Sequence, residues 1–299
     1  CMLDWNTPKL SDKEWIEKCV KESQYIGSDA AFANIYLLRS KYNIKVTYYK
    51  DLLIRYYEGF GNRKGYTFPL GRKDVLSALY AIEQDAKEMN RPLEFCFVTE
   101  EQKEILENTF AGRTESSSDA GDYDYIYGQP ELSLLSGRTY HKKKNHVSKF
   151  KRTYEDYMFC EIGNGNLDDV MLIEDEWYYD RLQQDDTSAM KEYEAIREAV
   201  DNFEELSLSG GIIYANNVPV AMTIASYIND AAVDIHFEKA VGEYAVNGGF
   251  AAINQMYAST LKDVKFINRE EDINIPGLRK AKESYHPKFM LKKYGVRVK

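Results

Sequence analysis

Closely spaced cysteines are missing from this sequence. Cys1, Cys19, Cys96 and Cys160 form no C-x-x-C pair, which argues against a disulfide framework or a thiolate zinc site and for reduced thiols. Histidine is equally sparse: there are 4, and His141 and His146 do not have metal-ligand spacing, so no metal is expected. With 7 Pro and 18 Gly in 299 residues, collagen-like and linker-like chains are excluded. No G-x-x-x-x-G-K-[ST], G-x-S-x-G, H-E-x-x-H or EF-hand sequence occurs, and no G-x-G-x-x-G opens a helix. The enzyme classes marked by those motifs lose their usual signature. No apolar leader marks a signal peptide, so the expected location is cytoplasmic.

What is present is a globular composition, 44% hydrophobic with 24 tyrosines. Its length suits one large domain or two of about 150 residues. One run, Leu206 to Asn229, has no charge for 24 residues and is long enough to cross a bilayer. Asn216-Asn217-Val218-Pro219 at its centre is a turn signal, however. Two strands, Gly211–Ala215 and Val220–Tyr227, explain the run better than a membrane span. No integral membrane segment is expected.

Hydrophobic periodicity predicts helices at 12–23 and 29–42. A hairpin follows, with Ile44, Val46 and Tyr48 opposite Leu52, Ile54 and Tyr56 across Lys50-Asp51. Next come a short strand near 66–69, a helix at 72–89, a strand at 93–98, a helix at 100–108 and a strand at 123–127. Ser116-Ser117-Ser118 reads as loop. The second half predicts a strand at 157–162, helices at 177–184 and 189–206, the hairpin, and a strand at 231–237. It ends with a helix at 247–261 that turns Val246, Phe250, Ile253 and Tyr257 inward, a strand at 265–268 and a helix at 275–285. Both halves follow one element order, that of an N-acyltransferase unit. The expectation is an α+β, GNAT-like tandem duplication with mixed sheets flanked by helices, divided into 1–155 and 156–299.

Charge is segregated. The net charge is −9, yet Arg138–Arg152 carries seven Lys/Arg and no acid, and Arg279–Lys299 carries +7, leaving −23 on the remainder. Such basic segments suit an anionic ligand, a phosphate chain or an RNA backbone, and equally a solvated helix face. Arg138, His141, Lys142, Lys143 and Lys144 are the phosphate candidates of the first segment. Gly248 and Gly249 offer a helix N-terminus as an anion site, or simply mark close packing.

Two apolar strands release charged clusters at their ends, the first in Asp234–Lys239 and the second in Phe266–Asp272. Glu238 and Glu270 are thereby candidate proton acceptors. Lys239, Asn268, Arg269, Arg279, Lys282 and Lys288 are candidates for holding donor phosphates or acceptor carboxylates, and Tyr285 for protonating a leaving group. A plain salt-bridge network would give the same pattern. His236 reads as a packed strand histidine.

Three blocks carry a family resemblance: Tyr123–Arg152, HFEKAVGEYAVNGGFAAINQMYA, and FINREEDINIPGLRKAKESYHPKFMLKKYGV. Together they cover about a third of the chain, and they resemble the phosphatidylglycerol lysyltransferase C-terminal domain family. The resemblance implies a tandem acyl-CoA N-acyltransferase fold. It also implies aminoacyl transfer from charged tRNA, to phosphatidylglycerol in the best-studied relatives and to peptidoglycan cross-bridges in distant ones. The chain departs from the lipid-modifying enzymes in lacking a membrane segment, and from acetyltransferases in lacking R/Q-x-x-G-x-G/A, where it reads AVGEYAVNGG.

The leading expectation is a soluble aminoacyl or acyl transferase acting on an amine or hydroxyl in a cleft between the halves. It would use an aminoacyl-tRNA or acyl-CoA donor, bound through 138–152 and 279–299, and no covalently held cofactor. The alternatives are a non-catalytic RNA- or nucleotide-binding module on the same fold and a small-amine N-acetyltransferase.

Overall fold

Lys50 and Asp51 both take left-handed backbone, with φ of 47° and 66°. Around them β1 (Lys45–Tyr49) turns into β2 (Leu52–Glu58), pairing Tyr49 with Leu52. Asn216 and Asn217, with φ of 52° and 63°, join β8 (Ser209–Ala215) to β9 (Val218–Tyr227) in the same way. Two consecutive positive φ values give the turn whose twist matches that of paired strands. The uncharged run is therefore a buried hairpin, and no helix among the described residues is long and apolar enough to cross a membrane.

The computed structural model describes residues 3–299, so Cys1 lies outside the described residues. The chain forms two units. The first comprises residues up to Tyr125 together with Glu270–Lys280 and Phe289–Lys299; the second comprises Ile126–Arg269 and Ala281–Lys288.

In the first unit, α1 (Lys13–Ser23) and α2 (Phe32–Leu37) precede the hairpin. Then come β3 (Lys64–Thr67), α3 (Val75–Glu88), β4 (Leu93–Val98), α4 (Glu100–Thr109) and β5 (Thr114–Ser118). The sheet order is β1-β2-β3-β4-β13-β5, where β13 is Tyr294–Val298. Its strands β3 and β4 are parallel, with α3 in the crossover. Leu52, Ile54, Tyr66, Leu79, Ile82, Phe95 and Val296 are core residues of this unit.

The second unit repeats that plan. It contains β6 (Asp124–Gly128), which begins at the unit boundary, α5 (Gln129–Leu134), α6 (His141–Thr153), β7 (Met158–Glu161), α7 (Leu167–Gln183) and α8 (Ala189–Asp201). The β8–β9 hairpin, β10 (Ala232–Ala240), α9 (Gly242–Val246), α10 (Gly249–Ala258) and β11 (Phe266–Asn268) follow. Its strands lie in the order β6-β11-β10-β9-β8-β7. Here β10 and β11 are the parallel pair, with α9 and α10 between them in sequence. The chain closes with α11 (Pro276–Glu283), β12 (Phe289–Leu291) and β13. Each unit thus has a mixed sheet with helices between its strands, the α+β arrangement expected.

The expected division at residue 155 is replaced by one the element order could not reveal. The last strand of the chain, β13, inserts between β4 and β5 of the first sheet, while β6, from the first half, pairs with β11. Ser116–Ser118 is strand rather than loop: its serines pair with Gly295 and its neighbours through the backbone, so no side-chain alternation marks them. The helix expected at 29–42 is cut to α2, and the helix expected at 177–184 extends back to Leu167. Phe250, Ile253 and Tyr257 do turn inward, but Val246 is 78% exposed because α9 ends there and α10 restarts at Gly249.

Candidate functional site

The parallel pairing of β10 with β11 runs only from Ala232↔Phe266 to Asp234↔Asn268. Beyond that point β11 ends, while β10 continues to Ala240 paired with β9 alone, after a register shift between Ile235 and Phe237. The two strands therefore part at their carboxyl ends, where open α/β sheets place ligands.

Glu238 and Arg269 meet in this opening, with Arg269 Nη2 donating to Glu238 Oε1 at 3.0 Å. Asn254 of α10 donates to the other carboxylate oxygen at 3.2 Å. The Arg269 guanidinium lies 4.7 Å from the centroid of the Tyr285 ring and 5.6 Å from that of Tyr127. Lys143 from α6 places its ammonium 4.3 Å from the same Tyr285 ring. Behind them, the Lys282 ammonium donates to the Arg269 carbonyl and the Tyr127 hydroxyl to the Lys282 carbonyl, fixing the backbone on both sides.

The electrostatics follow from burial. Burial works against the Arg269 charge, but Glu238 and the two tyrosines outweigh it and raise the guanidinium's pKa. Burial pushes the Tyr285 phenol up to about 12, so it is protonated at neutral pH. Burial, then Arg269, lowers the pKa of Lys143. Two atoms here are sealed from solvent without a hydrogen-bond partner among the described residues: Arg269 Nη1 and Asn254 Oδ1. A buried donor and a buried acceptor left unmade are costly, and each calls for a partner such as an ordered water or a ligand.

Of the residues singled out from sequence, the second unit brings together Glu238, Arg269, Tyr285, Lys282 and Lys143, with Asn268 buried at the end of β11. Lys143 is not the exposed phosphate contact expected of it, whereas Arg138, His141, Lys142 and Lys144 are exposed. Lys239, next to Glu238 on a strand, faces the other side of the sheet. There it bonds Glu192 and lies 4.4 Å from the Trp177 ring centroid, near Glu174, whose carboxyl burial pushes up to about 7. Lys288 is half exposed and paired with Glu131 at 3.3 Å. His236 is packed as expected, with Ser226 Oγ at 2.6 Å and Asp234 at 3.2 Å.

Glu270 and Arg279 belong to the first unit. Glu270, in left-handed backbone at φ 63°, accepts from Asn34 at 2.8 Å. Arg279 makes a two-pronged bond to Asp272, whose carboxyl is held at about 2 against burial by that bond and by Tyr125. Lys293 and Lys299 are likewise paired with acids, so the 279–299 segment offers less free positive charge than its composition indicates.

Gly248 and Gly249 are a packing device rather than an open cradle of amides. A Cβ on Gly248 would stand 2.2 Å from the His146 carbonyl oxygen, and one on Gly249 2.6 Å from that of Tyr244. With φ of 99° at Gly248 as well, Gly248→Ala should destabilise the fold by about 2–4 kcal/mol. The check is a lowered denaturant midpoint at unchanged slope, and an unshifted midpoint would show that α6 and α10 can separate without cost.

Sequence reasoning missed Asn254 and Tyr127. The only signal for Asn254 was a polar residue inside the otherwise apolar FAAINQMYA, and Tyr127 is one of many strand tyrosines.

The sequence profile described as phosphatidylglycerol lysyltransferase, C-terminal, matches residues 21–297. No curated protein sequence matches the chain. Among solved structures, a conserved protein of unknown function from Bacteroides thetaiotaomicron is 30% identical, covering 100% of both chains at a TM-score of 0.93. L-PGS from Bacillus licheniformis is similar at 14% identity and a TM-score of 0.66, covering 96% of this chain and 92% of that one. The C-terminal domain of a protein described as a lysylphosphatidylglycerol synthetase from Agrobacterium fabrum has 12% identity and a TM-score of 0.65, with the same coverage. The last two likenesses bear on fold alone.

Proposed function

Because the chain belongs to the phosphatidylglycerol lysyltransferase C-terminal family, on an acyltransferase-type fold, we propose that it transfers an activated acyl group to an amine or hydroxyl acceptor at the Glu238–Arg269 site. The observation that carries this reading is the opening between β10 and β11, bridged by the Glu238 carboxylate and the Arg269 guanidinium.

In this reading the acceptor's nitrogen or oxygen attacks the acyl carbonyl carbon directly. Glu238 takes the proton the nucleophile loses, as a positioned general base. The carbonyl oxygen, gaining negative charge, is stabilised by the Arg269 guanidinium, the cation beside Glu238. The bond to the leaving oxygen or sulfur then breaks, and the Tyr285 phenol supplies the proton it needs. No covalent enzyme intermediate is required, and the rate gain comes from positioning and electrostatics.

An aminoacyl-tRNA donor is favoured over coenzyme A by two features. The glycines that could have cradled a pyrophosphate are filled by the His146 and Tyr244 carbonyls. Exposed cations line α6 instead, including Lys142, Lys144, Lys149 and Lys151. Lipid or other acceptors remain alternatives within this reading.

Paired titrations against mixed aminoacyl-tRNA and acetyl-CoA at two salt concentrations test the donor. Binding of aminoacyl-tRNA should be salt-sensitive, and Lys142→Gln with Lys144→Gln should reduce the log–log salt slope by about 1 for each phosphate no longer neutralised. Binding of acetyl-CoA without tRNA would overturn the donor. Equal binding of charged and uncharged tRNA, with no transfer to any amine, would favour the non-catalytic RNA-binding reading.

A further inference from the structure

Glu174 of α7 is 1% exposed, and its Oε2 is sealed from solvent with no hydrogen-bond partner among the described residues. Its helix packs on β9, β10 and α8. No charged residue lies on β9. The charges that act on Glu174 are Lys239 from β10, Glu192 from α8 and Asp175 from α7 itself. The cation among them is already committed: Lys239 Nζ donates to Glu192 Oε1 at 2.5 Å and lies 4.4 Å from the centroid of the Trp177 ring. Arg181 also lies against that ring, at 4.2 Å, and is not among the charges acting on Glu174. Asp175 accepts from the Tyr193 hydroxyl at 2.9 Å. Two carboxylates, Glu174 and Glu192, thus compete for one ammonium, and the one that is 42% exposed holds it.

A buried carboxyl without a bonding partner keeps its proton, because ionisation would strand a charge away from water. Burial accordingly pushes the Glu174 pKa up to about 7, with Lys239 opposing the shift and Glu192 and Asp175 adding to it. Glu192 retains the ammonium while Glu174 is neutral, since a neutral acid offers Lys239 little. Once Glu174 ionises the balance reverses. Its charge sits in the lower dielectric, where attraction to an ammonium is stronger than at a half-exposed partner. The lysine's flexible stem and rotatable donors allow the change of partner.

We propose that Glu174 is a proton switch: protonated, it leaves Lys239 to Glu192, and ionised, it draws Lys239 away and releases the tie between α8 and β10. The linkage has a definite sign. An acid whose proton is held more tightly in the fold contributes stability that is complete below its unfolded pKa and is lost as pH rises through the folded one. The protein therefore loosens here between about pH 4 and pH 7. Lys239 faces away from Glu238, on the other side of the sheet, and the switch requires none of the transfer chemistry proposed above. The two stand or fall separately.

The test compares the full chain with Glu174→Gln, which keeps the shape of the neutral acid and cannot ionise, in chemical denaturation from pH 4.5 to pH 8. The ratio of their unfolding constants should change by about 10²-fold over that range, with the variant the more stable at pH 8, since each unit of pKa shift is a factor of ten. In a Glu192→Gln background Lys239 has Glu174 as its acidic partner throughout, so the same comparison should shrink to less than about tenfold. Trp177 reports the change of partner directly: its fluorescence in the native protein should titrate with a midpoint near pH 7 and should stay level in Glu174→Gln. Parallel stability profiles for the native protein and Glu174→Gln would overturn the proposal. So would an undiminished difference in the Glu192→Gln background, or Trp177 fluorescence that titrates identically with and without Glu174. The fluorescence comparison decides the matter where Glu192→Gln does not fold.

Discussion

Arg269→Lys should lower the transfer rate about 10²- to 10³-fold, the usual loss when one donor to a developing oxyanion is removed. Lysine preserves the charge beside Glu238, which in the native protein is paired at 3.0 Å with both side chains largely buried. It cannot reproduce the planar, delocalised fork that bonds Glu238 through Nη2 and carries further N–H donors in fixed directions. The loss should therefore fall on kcat, with KM changed less than about threefold and the unfolding midpoint nearly unmoved. Glu238→Gln, which retains the shape and the bond from Asn254, should cost a further about 10²-fold or more by removing the base. Single-turnover transfer from a charged tRNA pool to added amines measures both. Wild-type turnover in folded Arg269→Lys would remove the guanidinium from the chemistry, and the proposed mechanism with it.

Much of this site was legible because strand ends are legible. An apolar run followed at once by charged residues, as in Phe266–Asp272, can hardly be anything but a buried strand releasing polar groups at its end, so Glu238 and Arg269 could be named from sequence. That they form a pair across a gap was not legible, because it depends on β11 stopping at Asn268 while β10 runs on to Ala240. Periodicity carries no information about where a neighbouring strand ends. The hairpins at Lys50-Asp51 and Asn216-Asn217 were legible for the complementary reason, that their backbone conformation is dictated by the residues of the turn themselves.

The exchange of β6 and β13 shows a different limit. Both segments have ordinary strand composition, and whether β13 pairs with β4 and β5 is decided by long-range packing such as Val296 in the first core. The basic stretches were misread in part because composition counts charges without their partners. Lys142 and Lys144 point to solvent and remain available, but Lys143 turns inward onto Tyr285, and Lys293 is buried between two aspartates.

Lys293 carries the largest expected effect on stability. Its ammonium and the carboxylates of Asp29 and Asp124 are 4%, 5% and 0% exposed. Burial works against the charge of both Lys293 and Asp29, yet Asp124 and Asp29 raise the lysine's pKa well above its ordinary value, and Lys293 with Arg55 depresses that of Asp29. Lys293→Met fills the same volume but strips the shared cation from both carboxylates, leaving Arg55 to offset the charge of Asp29. Removing one member of a buried pair costs about 3–5 kcal/mol, and that loss should appear at pH 7 in chemical denaturation. The sign of its pH dependence follows from the two shifts. Asp29, depressed in the fold, contributes stability above its unfolded pKa, and that contribution is lost as pH falls through the folded value. Lys293, raised in the fold, contributes fully below its unfolded pKa and loses the contribution only as pH rises through the folded one. The native protein should thus hold a plateau between these limits. In the variant, protonation relieves the stranded carboxylates, so the gap between the two proteins should narrow steadily on acidification from pH 7. A gap that stayed constant from pH 7 to pH 4 would mean the loss comes from packing around the new methionine rather than from uncompensated charge.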